Sequence, residues 1–377
     1  MALVRGLRRL KFKDSFMKAN MFDKYQLKDI TLRNRIAVSP MCQYTSRDGL
    51  PTEWHLVHLG SRAVGGAGLV IVEATAVSPD GRISPADSGI YSDQHVEPFS
   101  RIAAFMKQQG AVSGIQIAHA GRKASAQAPW DGGAHISAAE GGWDTIAPSA
   151  IAFGARLDKV PRAMSLSDIA RVKEDFVSAA RRSLEAGFEW LQVHFAHGYL
   201  AHEFYSPLSN QRSDPYGGSF DNRIRFLMET FQAVREVWPE RLPLTVRLSV
   251  TDWIDGGVTL EESIELIRRL KQAGLDMIDV SHGMIVPDHS NVPSGPGFMI
   301  PYAAQIRHEV DIATTTSWQI TEPQQAARAI EQGQLDVVTL AREMLRDPYW
   351  PYHAAVALGT DAANQMLPVQ YARAVES

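Results

Sequence analysis

Short runs of apolar and β-branched residues alternate eight times with stretches of helical periodicity, and this alternation limits the possible folds more than any other feature. The eight predicted strands are residues 35–40, 68–74, 112–118, 189–194, 244–248, 277–281, 312–316 and 336–340. The stretch 167–187 is typical of the segments between them, with an apolar residue at every third or fourth position, a serine cap and a closing glycine. Eight strand–helix units close into a (β/α)8 TIM barrel, which is the α/β fold we expect.

A doubly wound sheet is the alternative α/β fold. It requires a glycine-rich phosphate turn after the first strand, but positions 39–44 read SPMCQY. A typical barrel takes about 250 residues, so the surplus of this 377-residue chain must lie in insertions. We predict a single domain over residues 21–377, with an insertion over residues 120–164, after the third strand, that covers the active-site face.

Charge and cysteine content exclude several classes of partner and cofactor. The formal net charge of −4 gives no basic field for nucleic acid or a membrane surface. Cys42 is the only cysteine, which excludes an internal disulfide, a cysteine-rich zinc site and a cysteine-ligated iron–sulfur cluster. No apolar run reaches the roughly 18 residues of a membrane helix. We therefore expect a cytoplasmic protein whose partners are small molecules.

The first twenty residues carry six Lys or Arg against one acidic residue. The apolar core and the cleavage site of a secretory leader do not follow them. We interpret residues 1–20 as a basic, disordered extension, and a transit peptide is the alternative interpretation.

Two imidazoles and a phenol, those of His194, His197 and Tyr199, follow the fourth predicted strand directly. In a barrel of this kind the active site lies at the C-terminal ends of the strands. Imidazole N–H groups can stabilise a developing oxyanion, and a nearby phenol can donate a proton, so the pattern predicts acid-assisted addition to a polarised carbonyl compound. The other candidate residues at strand ends are Cys42, Tyr44, Ala74, Gln116, His119, Arg247, His282, Trp318 and Arg342.

Two arginines at strand ends predict that an anion binds there. The loops after the seventh and eighth strands form the usual phosphate site of such barrels, and here they contain Ser317, Gln319, Ala341 and Arg342. Backbone N–H groups and a guanidinium suit a dianion, although an ion pair with a rim acid is the alternative for Arg342. Arg247 follows apolar residues at the barrel mouth, where a charge needs an anionic partner.

Hydrolytic chemistry has weaker support in the sequence. The paired carboxylates of a glycosidase are missing, and Glu73 has no evident partner. A metal-dependent hydrolase would use His194 and His197 as ligands, with Asp279 or His282 as a loose third ligand. We predict no metal.

Several charged and aromatic residues have structural alternatives to a functional role. His119 and His282 are expected to be structural, because histidines often satisfy local hydrogen bonds. Arg122 and Lys123 either lie on a solvated rim or attract a nucleotide phosphate, and the sequence leaves both interpretations open.

Several longer motifs resemble one known family when they are taken in order. They read SPMCQY at 39–44, QIAHAGRK at 116–123, HFAHGYL at 194–200, SPLSNQR at 206–212 and YGGSFDNR at 216–223. The set resembles the Old Yellow Enzyme family, and more closely its thermophilic-like branch with the bacterial xenobiotic reductases, from about residue 22 onward. The resemblance implies a (β/α)8 barrel with non-covalently bound FMN, which NADPH or NADH reduces and which activated alkenes reoxidise.

The resemblance also implies which residues hold the cofactor. Cys42 would tune the flavin potential, Gln116 and Ala74 would bind the pyrimidine edge, and Arg247 would lie beside N1 and O2. The full set implied for FMN is Pro40, Met41, Cys42, Ala74, Gln116, Arg247, Ser317, Trp318, Gln319, Ala341 and Arg342. The family usually has glycine where this chain has Gln319 and Ala341, so the geometry of the phosphate site is open at these two positions.

On the substrate side, His194 and His197 match the pair that grips a carbonyl or nitro oxygen, and Tyr199 matches the proton donor. Tyr44 and Trp318 would form walls of the pocket. The implied reaction is an ene-reduction, in which hydride reaches the β-carbon and Tyr199 protonates the α-carbon from the opposite side. The non-enzymatic alternative is a flavin-binding barrel that serves as a sensor or scaffold.

The resemblance finally raises the question of subunit contacts. Close relatives carry a tryptophan near the C-terminus that reaches into a neighbouring subunit's site, but Ala374 stands at the matching position here. Tyr371 or Arg373 would then have to make any such contact. We expect a homodimer or a homotetramer.

Overall fold

A computed structural model describes residues 19–374 and has the expected barrel architecture. Its eight barrel strands, numbered here in chain order, are β1 (Ile36–Val38), β2 (Leu69–Ala76), β3 (Val112–Ala118), β4 (Trp190–Phe195), β5 (Leu244–Ser249), β6 (Met277–Ser281), β7 (Ala313–Thr316) and β8 (Val338–Leu340). Neighbouring strands run parallel from β1 to β7, and β8 pairs with β1. The prediction of a (β/α)8 barrel is therefore confirmed.

The ring closes between β7 and β8 through a few bonds rather than a regular ladder. The backbone N–H of Asp336 donates to the Thr314 carbonyl at 3.0 Å. Inside the ring, the hydroxyls of Thr315 and Thr339 lie 2.7 Å apart. These contacts explain why the eight strands enclose a core although β7 and β8 share no continuous ladder.

The predicted strand limits are correct for 112–118 and 277–281, and elsewhere one or both ends differ by one or two residues. The strand β1 was expected to extend from 35 to 40 and forms a ladder only over Ile36–Val38. Arg35 instead donates its backbone N–H to the carbonyl of Met21, below the barrel. The strand β2 extends two residues beyond the prediction, and its register with β3 shifts between Val72 and Ala74.

Ten α-helices surround the barrel or follow the last strand in the described chain. They are α1 (Glu53–Val64), α2 (Val96–Gln108), α3 (Leu166–Glu185), α4 (Leu200–Tyr205), α5 (Phe220–Val237), α6 (Leu260–Gln272), α7 (Ile300–Val310), α8 (Pro323–Glu331), α9 (Arg342–Arg346) and α10 (Trp350–Ala357). In the part of the chain that the structure describes, no helix is long and apolar enough to span a membrane.

Helix α3 shows how local sequence sets an element's limits. It begins one residue before the predicted stretch, because Ser165 and not Ser167 is the cap. The Ser165 hydroxyl accepts from the Asp168 backbone N–H, and the Asp168 carboxylate accepts from the Ser165 backbone N–H, which forms a capping box. Ile169 and Phe176 are buried, so the predicted apolar face packs on the barrel as expected.

An N-terminal hairpin that the sequence analysis did not predict lies against the lower end of the barrel. It pairs Tyr25–Leu27 with Ile30–Leu32 in antiparallel register. The fully buried side chain of Leu32 packs into a cluster inside the barrel that contains Trp190 and Met277. The hairpin therefore fills the end of the barrel away from the active-site residues.

The segment between β3 and α3, residues 119–165, contains short 3-10 turns and one short parallel pair, Ile146–Ala147 with Arg162–Ala163. It includes the predicted insertion 120–164. The Trp130 ring from this segment meets the Tyr44 ring edge to face at 5.5 Å. Its function as a cover over the site and the division into one domain over 21–377 stay predictions. Residues 1–18 of the predicted basic extension lie outside the described residues.

The packing of the hairpin leads to a stability prediction. Leu32→Ala is expected to lower the free energy of unfolding by about 2–5 kcal/mol, since it leaves a cavity in the barrel interior. Urea unfolding measures this loss. The control is Thr31→Ala at the neighbouring exposed position, expected to stay within about 0.5 kcal/mol of wild type. An equal loss in the two variants would show that the hairpin does not pack as described.

Candidate active site

A chain of buried polar side chains crosses the barrel interior near its C-terminal end. The Gln116 amide donates to Gln192 at 2.6 Å, and Gln192 donates to the Asp279 carboxylate at 3.1 Å. Arg247 donates its Nε–H to the same Asp279 oxygen at 2.7 Å. These residues come from β3, β4, β5 and β6, and all four are buried. The network therefore links Arg247 on β5 to side chains on β6, β4 and β3.

Arg247 reaches from this network towards the barrel mouth. Its terminal nitrogen donates to the Ser39 hydroxyl at 2.9 Å and to the Ser317 hydroxyl at 3.2 Å. Burial raises the pKa of the Asp279 carboxyl above its usual value, and the Arg247 charge and hydrogen bond work in the opposite direction. A buried guanidinium held by one carboxylate and two hydroxyls is a strong donor for a further anion.

Above Arg247 lies a cavity of about 660 Å³, within the range of about 300–1,000 Å³ common for ligand pockets. Its walls come from the loops after β1, β4, β7 and β8 and from the residues before α7. The lining residues are Ser39, Pro40, Met41, His197, Arg247, Pro296, Ser317, Trp318, Gln319, Ile320, Thr321, Ala341, Arg342, Glu343 and Arg346. The structure thus brings together nine of the residues that the sequence analysis assigned to one site.

One side of the cavity is suited to an anionic group. Arg342 is exposed, lines the cavity and makes no side-chain hydrogen bond within residues 19–374. The alternative interpretation, in which Arg342 forms an ion pair with an acid on the barrel rim, is therefore wrong. Arg346 lies beside it and pairs with Glu343. The donors at this side come from two loops, one after β7 and one after β8.

Gln319 adopts a left-handed backbone conformation with φ of 51°, which favours glycine. Two hydrogen bonds to a neighbouring loop hold it there. Its side-chain oxygen accepts from the Gly295 backbone N–H at 3.0 Å, and its carbonyl accepts from the Gly297 N–H at 2.8 Å. Ala341 has φ of −107°, so this position does not require glycine.

Three polar rings, one near the end of β4 and two directly after it, form one cluster. The His194 ring lies 5.0 Å from the His197 ring and 5.3 Å from the Tyr199 ring, both edge to face. Neither ring nitrogen of His194 has a hydrogen-bond partner within the described chain, and its Nδ1 is fully buried. An imidazole with free nitrogens in this position is available to bind a ligand atom.

The loop after β4 holds His197 in a defined orientation. Its φ is 62°, again left-handed. The backbone N–H donates to the Ser249 hydroxyl at 2.9 Å, and the ring Nε2 lies 2.6 Å from the Ser281 hydroxyl. The Trp318 indole N–H donates to the same Ser281 oxygen at 2.8 Å. Ser281 therefore positions both His197 and Trp318, whose rings lie side by side, edge to face, with their centres 6.2 Å apart.

Burial sets the protonation states of this cluster. Loss of hydration, together with the positive charge of Arg247, lowers the pKa of His194 well below its usual value. Burial and the neighbouring His194 lower the pKa of His197 in the same way. Burial raises the pKa of the Tyr199 phenol well above its usual value. At neutral pH both imidazoles are therefore uncharged, and Tyr199 carries its proton.

Cys42 is half-buried beside a carboxyl cluster that the sequence analysis did not identify. Burial, with the nearby Asp87 and Glu73, raises the pKa of its thiol well above the usual value. Glu73 does have partners: it accepts from Ser88 and lies 3.5 Å from His55. Burial raises the pKa of Asp87 to about 7. Cys42 is therefore a thiol and not a thiolate at neutral pH.

A second cavity, of about 10 Å³, lies between Ala74 and Tyr199. Ala74 follows the register shift in β2, which turns this part of the strand relative to β3. Tyr44 lies in the loop after β1 with φ of 51°. Four of the predicted site residues do not line the larger cavity, namely Ala74, Gln116, Cys42 and Tyr44. Part of the predicted site therefore lies in the cavity wall, and part lies in the side chains around it.

The structure excludes one of the two alternatives for Arg122 and Lys123. Both side chains are buried, so the interpretation as a solvated rim is wrong. Arg122 donates to the carbonyls of Ile151 and Ile285. Lys123 donates to two further backbone carbonyls, and burial lowers its pKa to about 7.

His119 and His282 are both buried beside the site. His119 accepts from the Gly121 backbone N–H at 3.0 Å, a local structural bond of the expected kind. His282 packs against the Trp318 ring at 4.2 Å, and neither of its ring nitrogens is hydrogen-bonded in the described chain. Asp279 binds Arg247, and residues 19–374 contain no group of three or more His, Cys, Asp or Glu side chains arranged to hold a metal.

Sequence analysis missed several residues of the site. Gln192, Ser281 and Ser249 hold other site residues, and Pro296, Ile320, Thr321, Glu343 and Arg346 line the cavity. Gln192 and Ser281 lie within predicted strands, and their polar side chains in apolar runs were the available signal. Tyr371 and Arg373 lie in an exposed C-terminal segment and do not line the cavity, so their contact with a neighbouring subunit stays a prediction.

The chain is similar to known proteins over most of its length. A model of the NADH:flavin oxidoreductase / NADH oxidase family matches residues 20–360. An "NADPH dehydrogenase" of Geobacillus sp. (strain WCH70) is 45% identical, with 95% of this chain and 99% of that protein covered. An "NADPH dehydrogenase" of Bacillus subtilis (strain 168) is 42% identical, with 95% and 99% covered.

Two solved structures have a similar fold. An Old Yellow Enzyme homologue from Zymomonas mobilis is 28% identical with a TM-score of 0.75, and the match covers 88% of this chain and 91% of that chain. Morphinone reductase is 25% identical with a TM-score of 0.75, with 92% and 91% covered.

The ion pair inside the barrel leads to a second prediction. Asp279→Asn is expected to lower the free energy of unfolding by about 3–5 kcal/mol, because it leaves the Arg247 charge buried without its partner. Chemical denaturation measures the loss. The exposed pair of Asp311 and Lys271 is the control, and Asp311→Asn should cost about 1 kcal/mol or less. Similar losses would mean that Arg247 is not held by Asp279.

Proposed function

Because the chain belongs to the NADH:flavin oxidoreductase / NADH oxidase family, and within it to the Old Yellow Enzyme type, we propose that it reduces activated alkenes, namely α,β-unsaturated carbonyl or nitro compounds. It is an NAD(P)H-dependent flavin oxidoreductase with FMN as cofactor and a nicotinamide nucleotide as reductant. The cluster of His194, His197 and Tyr199 beside the cavity is the observation that supports this substrate class.

The residues around the cavity fit FMN by size and by the chemistry of their donors. Arg247, Arg342 and Arg346 supply positive charge, and Glu343 is the one carboxylate of the lining. The guanidinium of Arg247 lies at the barrel mouth, and Arg342 is the first residue of α9, which follows β8. This separation suits a ligand with an electron-rich ring system at one end and a phosphate at the other.

Within this arrangement we assign the cofactor contacts. Pro40, Met41 and Cys42 would lie against the ring system, and Ala74, Gln116 and Arg247 would bind its polar edge. Ser317, Trp318, Gln319, Ala341 and Arg342 would hold the ribityl chain and the phosphate. Bound FMN would supply the hydride chemistry, with NADPH or NADH as the hydride source and the β-carbon of the alkene as the hydride acceptor.

His194 and His197 bind the substrate oxygen by donating hydrogen bonds. His194 has both nitrogens free of protein partners. The Ser281 hydroxyl accepts from Trp318 and can give its own proton to His197 Nε2, which leaves Nδ1 as the protonated, donating nitrogen. Neutral imidazoles in a dry site withdraw electron density from the double bond without the cost of a buried charge.

Tyr199 delivers the proton to the α-carbon. Its raised pKa keeps the phenol protonated until carbanion character develops on the substrate. The ring lies 5.3 Å from the His194 ring, so one substrate can contact both. Protonation from the side of Tyr199, with hydride arriving at the other face of the alkene, would give trans addition of the two hydrogens. Tyr44 and Trp318 form the walls of the substrate pocket.

An anaerobic visible titration tests the proposed function directly. NADPH should bleach the flavin absorption of the purified holoenzyme, and cyclohexenone added without oxygen should restore it. Recovery of the colour supports the enzyme, whereas a flavin that stays bleached with cyclohexenone and with a nitroalkene would leave only the sensor or scaffold. Size-exclusion chromatography with light scattering tests the proposed homodimer or homotetramer.

Loss of one oxygen-binding imidazole should slow alkene reduction. His194→Ala is expected to lower the rate of flavin reoxidation by cyclohexenone about 10²–10³-fold, as for loss of one oxyanion donor. The rate of flavin reduction by NADPH should fall less. Stopped-flow spectroscopy separates the two rates, and His353→Ala at an exposed position is the control. If reoxidation is no slower than in the control, His194 does not bind the substrate oxygen.

Loss of the phenol should affect only the step that needs a proton. Tyr199→Phe is expected to slow reoxidation by poor alkene substrates by about 10²–10⁴-fold, because it removes the phenolic proton beside His194. Flavin reduction by NADPH serves as the internal control and should be nearly unchanged. An unaltered stopped-flow reoxidation rate would remove Tyr199 from the proposed role.

A further inference from the structure

We propose that Lys123 is a positioning residue for alkene reduction, which fixes the backbone of His197 from beneath the site. Its ammonium group donates to the His197 carbonyl at 2.8 Å and to the Met284 carbonyl at 2.6 Å. His197 belongs to the loop after β4, and Met284 to the loop after β6. One side chain from the segment after β3 therefore joins two other active-site loops. The inference rests on the proposed function of His197.

The two carbonyls that Lys123 binds belong to residues in unfavourable backbone conformations. His197 has φ of 62° and Met284 has φ of 71°, both in the left-handed region that non-glycine residues rarely occupy. Such conformations persist only where surrounding contacts hold them, and they concentrate at functional sites. A donor shared between both carbonyls is a contact of that kind.

The loops at His197 and Met284 also touch directly. Gly198, the residue after His197, is left-handed as well, and a Cβ at this position would lie 2.1 Å from the Met284 carbonyl oxygen. Glycine thus allows the two chains to approach closely, and two carbonyl oxygens come near the same point. Lys123 places donors between these oxygens, which would otherwise repel each other.

Lys123 is buried, which is unusual for a lysine. The residue is only 9% exposed, and its Nζ lies 4.2 Å from the centre of the Phe153 ring and 5.5 Å from that of the Tyr199 ring. Within the described chain its Nζ has no carboxylate within ion-pair distance. The two carbonyls, the ring faces and, at longer range, the buried Glu203 carboxylate therefore compensate for its burial. Either protonation state supplies at least two N–H donors, enough for both bonds.

Lys123 completes the set of contacts that orient the His197 imidazole. Ser249 holds the backbone N–H, Ser281 holds the ring, and Lys123 holds the carbonyl. Without the third contact, the left-handed turn can relax and the ring can shift from the position where it binds the substrate oxygen. A displacement of about 1 Å can cost about 10²-fold in rate.

Lys123→Met tests this inference, because methionine keeps most of the apolar stem and removes the donors. The holoenzyme variant is expected to lose about 10–100-fold in kcat/KM for cyclohexenone, and its Kd for the saturated ketone cyclohexanone, measured by calorimetry, should rise by a similar factor. Flavin reduction by NADPH should change less. A purely structural role would lower thermal stability or the folded fraction but leave the ketone Kd of the folded holoenzyme unchanged.

Lys159→Met is the matched control. Lys159 lies in the same segment and also donates to two backbone carbonyls, those of Ile136 at 3.2 Å and Trp143 at 3.0 Å, but it does not contact the His197 loop. This variant should keep the wild-type ketone Kd. Equal ketone affinity in wild type, Lys123→Met and Lys159→Met would overturn the inference.

Lys123→Arg supplies a second variant that keeps the charge and several donors. If Lys123 positions His197 through these bonds, the arginine variant should bind cyclohexanone more tightly than Lys123→Met. If Lys123→Met does not fold, a Kd of Lys123→Arg and a His197 imidazole ¹⁵N NMR spectrum that both equal those of wild type support the inference. A fully folded Lys123→Arg with the His197 signals of wild type but no ketone binding contradicts it.

These experiments distinguish failure of the proposal for Lys123 from failure of the proposed function. A wild-type enzyme that cyclohexenone does not reoxidise overturns the ene-reductase, whatever the variants do. A wild-type enzyme that is reoxidised, with Lys123→Met equal to it in kcat/KM and ketone Kd, overturns only the role of Lys123.

Discussion

The ion pair between Arg247 and Asp279 is the interaction on which the site depends. A guanidinium can remain charged inside a barrel only if a carboxylate compensates it, and Asp279 lies on the neighbouring strand at the paired register position. Gln192 and Gln116 continue the hydrogen-bond network from Asp279 into the barrel interior. The Arg247 guanidinium is thus held on its inner side, and its other side faces the cavity. Burial is the main cause of the lowered pKa of His194, and this fixed positive charge lowers it further. The proposed cofactor contacts depend on the same charge.

Around this centre, the side chains that would touch ligands are held by short polar residues and by buried cations from other loops. Ser281 positions His197 and Trp318 together, and Lys123 binds the backbone of the same loop. The strained conformations of His197 and Gln319 are each compensated by hydrogen bonds from a different part of the chain. The positions of the site residues are thus set by contacts between loops and not by any single loop.

The sequence predicted the barrel and the residues at the strand ends, because both follow from local periodicity. All eight strands were found, and His197, Arg247 and Trp318 do line one cavity. Long-range pairing could not be predicted in this way. The burial of Lys123 depends on carbonyls at positions 197 and 284, and the filling of the lower barrel depends on a hairpin whose three-residue strands are too short to give a periodic signal.

The hairpin has a consequence for how the enzyme handles its ligands. Leu32 and Trp190 fill the lower half of the barrel, so the cavity above Arg247 has no passage through the far end. In the proposed reaction, nucleotide and alkene would therefore both have to enter from the C-terminal end of the barrel. Each would then compete with the other for the same cavity, and an excess of either would slow turnover.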